Sequence, residues 1–486
     1  MSGGDVPRLG LREAYCPGHF GNSYEVMWPR EMAAYLAELR HWGFNRYSDW
    51  LDGADTCDPY TAGRSWTPNM VRYLWNLPME LLARKKAAFR AATDLGLGVN
   101  LIVTPNHVFV DQLKPELLAE ISDRTLGQLI CPSKPEARAI ILENHDRLFR
   151  DLAENGVEVA SITAGAYDFG GCACDRCNPW IVTWAELVRE VHDLARRRFP
   201  EVEPWLLTWW WQEDDYRLFG EWVERKTPGW TRAMVFQIQY GQTRMDEGPV
   251  PAGCRKIAFV HIGYGDVAGD VDLYAKYGAP VAAKRLPETV AAIAAQGGVG
   301  FQAYSEGVFD DVNKAILGAL SSGRARTADE ALREYAGRYF GANAEDAAEW
   351  ARWLAGLGVR GQIELAAAQA TFQRLAPRAA PGWRLEQLRS KLALEELDRQ
   401  IAAGGDGWDD RRFALVDAFL AEQERLNRRV YGLGPVRYVI ALRTIVPSWY
   451  ASWRRAIGAT DPAVVSAVSP PQAMAGPRSA RPAEQA

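Results

Sequence analysis

The sequence predicts an α/β fold: a (β/α)8 TIM barrel followed by an all-helical C-terminal region. Three observations carry this. Residues 8 to 322 alternate short β-type runs with amphipathic helical stretches, the order that parallel strands joined by helical crossovers require. Eight such strands over about 310 residues fit a closed barrel with some long loops. From about Ala325 the strand signal stops and helical periodicity continues alone.

The strands are expected near Leu9 to Tyr15, Phe44 to Trp50, Val99 to Thr104, Val157 to Thr163, Pro204 to Trp211, Arg232 to Gln239, Lys256 to Tyr264 and Val299 to Ser305. Between them the 3.6-residue period places helices at Pro29 to His41, Pro78 to Leu95, Lys134 to Glu154, Ile181 to Arg198, Asp214 to Arg225, Pro287 to Gln296 and Asp310 to Leu320. At Trp42-Gly43-Phe44-Asn45 and Leu95-Gly96-Leu97-Gly98 a glycine follows a helix and opens a strand, as a left-handed helix C-terminus requires. Thr327-Ala328-Asp329-Glu330 reads as an N-cap box ahead of Ala331 to Tyr339. Further helices are expected at Glu345 to Leu357, Gly361 to Leu375, Leu385 to Ala402, Arg411 to Tyr431 and Val436 to Ile457. The division is thus a barrel at 1–324, a helical domain at 325–459 and an Ala-, Pro- and Ser-rich disordered tail at 460–486.

Composition narrows the function. Hydrophobic residues at 48% exclude a wholly disordered chain, and a formal charge of -5 gives no basic surplus to neutralise nucleic-acid phosphates. No apolar run approaches the roughly 18 residues of a membrane span, and Met1 to Leu11 lacks a secretory pattern, so a cytoplasmic protein without membrane association is expected. The 19 tryptophans are the outlier, because Trp is often left as a half-exposed flat platform that suits sugar rings as well as a large core.

In a barrel, chemistry sits at the carboxyl ends of the strands. There the sequence offers Asp49 and Trp50, Asn106 and His107, Tyr167 and Asp168, Trp209 and Trp211, Gln239, His261 with Tyr264 and Asp266, and Tyr304 with Glu306. Asp168 and Glu306, each beside glycines, are the leading acid/base candidates; Glu213 and Asp266 compete for these roles or serve as helix N-terminal residues. Asp49, Asp52 and Asp55 form an acidic stretch suited to sugar hydroxyls or to solvent. The aromatic and amide residues at the mouth suit a polyhydroxylated ligand. No GxxxxGK[ST], GxGxxG or GxSxG pattern occurs, so phosphate-loop, dinucleotide and serine-elbow chemistries lack a signature, and no cofactor is required.

Cys172-Ala173-Cys174-Asp175-Arg176-Cys177 brings three thiols within reach of one ion, and Cys131 in Cys131-Pro132-Ser133 offers a fourth. A structural zinc is one reading; reduced packing cysteines, or one disulfide with spectators, are the others.

This layout resembles the glycoside hydrolase barrels of the family 20 β-N-acetylhexosaminidases and the family 163 endo-acting hexosaminidases, with related α-glucuronidase-like barrels. The resemblance rests on Trp42-Gly43-Phe44-Asn45, Cys131-Pro132-Ser133-Lys134, Tyr167-Asp168-Phe169-Gly170-Gly171-Cys172, Tyr304-Ser305-Glu306-Gly307 running into Asp310-Asp311-Val312-Asn313-Lys314, and Glu334-Tyr335 to Tyr339-Phe340-Gly341. It implies a glycosidase acting on a glycan fragment or small glycoside, with a carbohydrate as its partner. The family 20 pattern has adjacent Asp and Glu after the fourth strand, whereas here Asp168 is followed by Phe169, so the sugar class is implied and the acetamide mechanism is not. A non-catalytic carbohydrate-binding barrel and a metal-dependent sugar lyase or isomerase are the alternatives. The C-terminal helices are expected to pack as an intramolecular bundle or to support a homodimer.

Overall fold

The computed structural model describes residues 7–18, 22–50, 58, 78–125, 129–267, 277–405 and 407–432. The expectations for Asp52, Asp55, the helix at Val436 to Ile457 and the tail lie outside these residues.

Eight parallel strands close in sequence order: β1 (Leu11–Tyr15), β2 (Arg46–Trp50), β3 (Gly98–Val103), β4 (Val159–Gly165), β5 (Glu203–Leu207), β6 (Ala233–Ile238), β7 (Arg255–His261) and β8 (Gly298–Tyr304). β8 returns to β1 with Leu11 opposite Gly300 and Tyr15 opposite Tyr304. Around them lie α1 (Ser23–Val26), α2 (Pro29–His41), α3 (Pro78–Asp94), α4 (Pro135–Glu154), α5 (Trp180–Arg196), α6 (Glu213–Lys226), α7 (Arg285–Ala295) and α8 (Asp311–Ser322). α2 starts with Pro at its first position, and Glu31 accepts from the Trp28 amide. It ends at Gly43, whose φ of 101° and close approach to Ser322 leave no room for a side chain.

Alternation along the strands sorts the core into two parts. Leu11, Tyr15, Ile102, Trp205, Val235, Ile257 and Phe259 fill the barrel, while the larger cluster packs between strands and helices. The interior also holds a polar network. Asn100 donates to Glu13 at 2.8 Å and to Thr163 at 2.9 Å, Ser161 donates to Asn100 at 2.9 Å, and Arg46 pairs with Glu13 at 3.4 Å while lying over the Trp205 ring. Glu13, Asn100, Ser161 and Thr163 are buried and Arg46 half-buried, and the hydrogen bonds and the ion pair among them offset the cost of a polar group in a low-dielectric interior.

One strand is shorter than the pattern implies. β5 stops at Leu207, and Thr208 to Trp211 turn, with the Trp211 amide donating to the Thr208 carbonyl at 3.1 Å. The Trp run carries β-type residues, but a left-handed backbone at Trp210 cannot continue a strand.

Beyond the barrel follow α9 (Ala328–Phe340), α10 (Ala344–Ala355), α11 (Leu365–Leu375), α12 (Trp383–Ala403) and α13 (Asp410–Glu424), the last continuing into a π-helical turn at Arg425–Val430. Thr327 caps α9 by accepting from the Glu330 amide at 3.1 Å, while Glu330 reaches back to the Arg326 amide rather than to Thr327. The helical region docks on the barrel through buried Asp311, which takes Arg384 at 2.6 and 3.2 Å and the Tyr335 hydroxyl at 3.0 Å. Among the described residues no helix is long and apolar enough to cross a membrane.

Candidate active site

The loop after β4 delivers Tyr167 and Asp168. Among the described residues two non-glycines have left-handed backbone, Asp168 with φ 73° and Trp210 with φ 60°, and both lie at the mouth on neighbouring loops. Such conformations cost on the order of 1–3 kcal/mol each and persist only where the surroundings impose them. Arg124 contacts both. Its carbonyl accepts from the Asp168 amide at 3.0 Å, and its guanidinium donates to the Trp210 carbonyl at 3.0 Å. The same guanidinium pairs with Asp215 at 2.6 Å and lies 3.9 Å from the centre of the Tyr167 ring, while the Tyr167 hydroxyl donates to Asp215 at 2.5 Å. Gly170 and Gly171 allow the loop to fold this tightly: a side chain on Gly171, with φ 140°, would strike Thr125.

Across the mouth, β8 ends in Tyr304, whose hydroxyl donates to the Glu306 carboxylate. The segment behind Glu306 is braced from below. Buried Lys314 pairs with Asp310 and donates to the hydroxyl of Tyr35 at 3.0 Å and the carbonyl of Gly307 at 3.2 Å, and Ser305 donates to Asp310 at 3.0 Å.

An aromatic group built on Tyr240 and His261 also lies at the mouth. The Tyr240 ring lies 4.2 Å from His261, 5.5 Å from Tyr264 and 6.4 Å from Trp209, and His261 is 5.6 Å from Tyr304. Burial, and then the charges of Asp168 and Glu306, push the Tyr240 phenol up to about 12, so both carboxylates bear on one ring. Burial pushes the Asp168 carboxyl up to about 7, the range in which a carboxylic acid can hold a proton at neutral pH and release it. Burial also holds His261 down to about 3 against the pull of Glu306, which keeps its imidazole neutral. Next to Asp168, Phe169 stacks on His107 at 5.5 Å and meets Trp50 edge-on at 5.2 Å.

The other residues expected at the mouth have different surroundings. Glu213 is exposed at the first position of α6; two residues on, Asp215 is the buried acid that holds Tyr167 and Arg124. Asp266 accepts from the amides of Lys284 and Arg285 at 2.9 Å each, the helix N-terminal placement the dipole favours. Asp49 is buried against Lys85 at 3.1 Å and the Gly18 amide at 3.0 Å. Asn106 donates to the carbonyls of Ile130 and Gly171 at 3.1 and 2.8 Å, joining two loops. Gln239 is exposed and donates to Asp246 at 3.0 Å, while Trp211 packs on Trp184, Tyr216 and Phe219 beneath the mouth.

Two residues escape sequence reasoning as candidates, Arg124 and Asp215, whereas Tyr240 stands in the Gln239-Tyr240-Gly241 run expected at the end of the sixth strand. Tyr240 has a signal, the following Gly241 with φ 71° in a turn closed by the Gln242 amide on the Gln239 carbonyl at 2.9 Å. Arg124 has none, because its role is to tie the backbones of two other loops.

Beside this loop the Sγ atoms of Cys131, Cys172, Cys174 and Cys177 lie within 4.8 Å of one another, with Cys131 3.7 Å from Cys174 and 3.6 Å from Cys177, and Cys172 3.5 Å from Cys174. All four are free thiols rather than disulfides.

No family model and no curated protein matches the chain. Among solved structures it is similar to a GH20 exo-β-N-acetylglucosaminidase from Vibrio harveyi in complex with N-acetylglucosamine, at 11% identity and TM-score 0.39 over 65% of this chain and 54% of that one, so it spans about half of that enzyme's length. It is similar to GH5_18 from Streptomyces cattleya in complex with GlcNAc at 15% identity and TM-score 0.38, over 78% of this chain and 97% of that one. It is also similar to a GH20 catalytic module of the pneumococcal exo-β-D-N-acetylglucosaminidase at 11% identity and TM-score 0.37, over 76% and 98% of the two chains.

Proposed function

We infer that this protein is a glycoside hydrolase that cleaves a glycosidic bond in a glycan fragment or small glycoside at the carboxyl-terminal mouth of its barrel. The observation that carries the reading is the pair Asp168 and Glu306: two carboxyl groups bearing on Tyr240 from different loops, one of them pushed up to about 7 by burial. Glycoside hydrolysis needs that division of labour. An acid protonates the departing glycosidic oxygen, and a second carboxylate stabilises the oxocarbenium-like centre or directs the attacking group. Asp168 is the acid, and Glu306, oriented by the Tyr304 hydroxyl, is the second carboxylate. Trp209 and Tyr240 offer apolar faces to the sugar, with buried Tyr264 packed behind Tyr240, and neutral His261 orients without competing for the proton.

The test is turnover of a panel of aryl glycosides, including N-acetylglucosaminide, glucoside, galactoside and glucuronide, by wild type beside Asp168→Asn and Glu306→Gln. One glycoside is expected to be hydrolysed, with a fall of about 10²–10⁴ in kcat for each variant. Saturable oligosaccharide binding without turnover of any of them, or equal turnover in the variants, would overturn the reading.

A further inference from the structure

The four cysteines are brought together by two different loops. Cys131 stands four residues ahead of α4, on the loop after β3, and Cys172, Cys174 and Cys177 lie on the loop after β4 that also carries Asp168. A tetrahedral ion with metal–sulfur bonds of about 2.3 Å requires sulfur–sulfur edges of about 3.8 Å. Three of the six separations, at 3.5 to 3.7 Å, fit that figure and all six lie within 4.8 Å, whereas a disulfide would require about 2.05 Å. The surroundings agree with a metal site: the Ser133 hydroxyl lies 3.0 Å from the Cys177 sulfur, the support that metal ligands receive from their neighbours. Three of the sulfurs belong to buried residues, and half-buried Cys174 borders a surface hollow of about 230 Å³ through which an ion reaches the site.

We propose that Cys131, Cys172, Cys174 and Cys177 bind one Zn²⁺ in a closed, four-thiolate structural site, and that the ion cross-links these two loops so that the Asp168 backbone keeps its left-handed conformation. The second half rests on the glycosidase reading; the first does not. Soft thiolate ligands in a tetrahedron select zinc over oxygen-seeking cations such as magnesium and calcium, and four protein ligands leave no open position for substrate. Hydrogen bonds already join the same loops, from the Ala173 amide to the Glu120 carbonyl at 2.9 Å and through Asn106, but each is a single contact that can open. An ion with four covalent anchors cannot open by one bond.

The test uses the full-length protein, purified without added metal and desalted. Elemental analysis is expected to give about one zinc per chain, falling below about a tenth in Cys131→Ser/Cys177→Ser and unchanged in Cys16→Ser. Because a chain without its ligands can fail to fold, the wild type carries a second measurement: protein produced with cobalt is expected to show the sulfur-to-metal charge-transfer and d–d bands of a tetrahedral thiolate site. Wild type with neither zinc nor the cobalt bands and with all four thiols titratable, or full zinc in the double variant, would overturn the metal site. The link to Asp168 is read separately, as an at least tenfold loss of glycoside turnover on removing the metal, restored by zinc; full activity in the metal-free protein sinks that link alone. A zinc-loaded protein that hydrolyses no glycoside leaves the metal site standing and places the failure in the functional reading.

Discussion

At the residue scale, burial of Asp168 has two consequences that one pH series separates. Its carboxyl titrates near 7 in the folded chain against 3.8 for an exposed aspartate, because the buried environment disfavours the charge. As general acid it must be protonated, so kcat/KM for the hydrolysed glycoside is expected to fall as pH rises through about 7. The same shift acts on stability. A raised carboxyl contributes fully below its unfolded value of 3.8 and loses that contribution as pH climbs to about 7. Asp168→Asn has no charge to desolvate, so its stability relative to wild type should grow by on the order of 2–4 kcal/mol between about pH 4 and pH 8 and then level off. Urea unfolding at a series of pH values measures this, and a constant difference would show that Asp168 is solvated.

At the element scale, the mouth depends on loops rather than strands, and Arg124 is the tie between two of them. Arg124→Met removes the donor to the Trp210 carbonyl and leaves buried Asp215 without its cation. Losing one partner of a buried pair costs about 3–5 kcal/mol, and relaxing the Trp210 turn and the Tyr167 side chain that the guanidinium holds should lower kcat by about tenfold or more. Unchanged kcat in a destabilised but folded variant would reduce Arg124 to a purely structural part. Both arginine and acid lay beyond the sequence for the same reason: three acids, Glu213, Asp214 and Asp215, occupy the first turn of α6, and only the helix's orientation decides which of them faces inward. The Trp run behaves alike. Trp209 lines the barrel interior and Trp211 packs under the helices, a choice made at the left-handed turn of Trp210.

At the scale of the whole molecule, barrel and helical region are joined where α8 leaves the active-site side of the chain. Asp311 opens α8, lies next to the Asp310 that braces the Glu306 segment, and receives both Arg384 and Tyr335 from the helices beyond. Asp311→Ala strands the Arg384 guanidinium among aromatic rings, with Tyr339 at 3.8 Å and Trp383 at 4.4 Å. The expected loss is about 3–5 kcal/mol of unfolding free energy, with earlier proteolytic cleavage in the helical region than in wild type. A loss below about 1 kcal/mol would show that apolar packing alone holds the two parts together.

What the sequence by itself determined is what local periodicity and chain stereochemistry encode. All eight strands and the seven helices α2 to α8 follow from the alternation of periods 2 and 3.6, the four-residue α1 does not, and the glycines at 43 and 96 mark helix ends because their backbones must be left-handed. The four cysteines were visible as a group because three of them share one short loop. Tertiary structure alone decided that Asp168 and Glu306 both bear on Tyr240, and that Asp266, Asp49 and Asn106 bind helix ends, a lysine and loop carbonyls. The physical reason is that an active site here is a meeting of loops remote in sequence. Burial and charge at Asp168 are set by neighbours that no local pattern specifies.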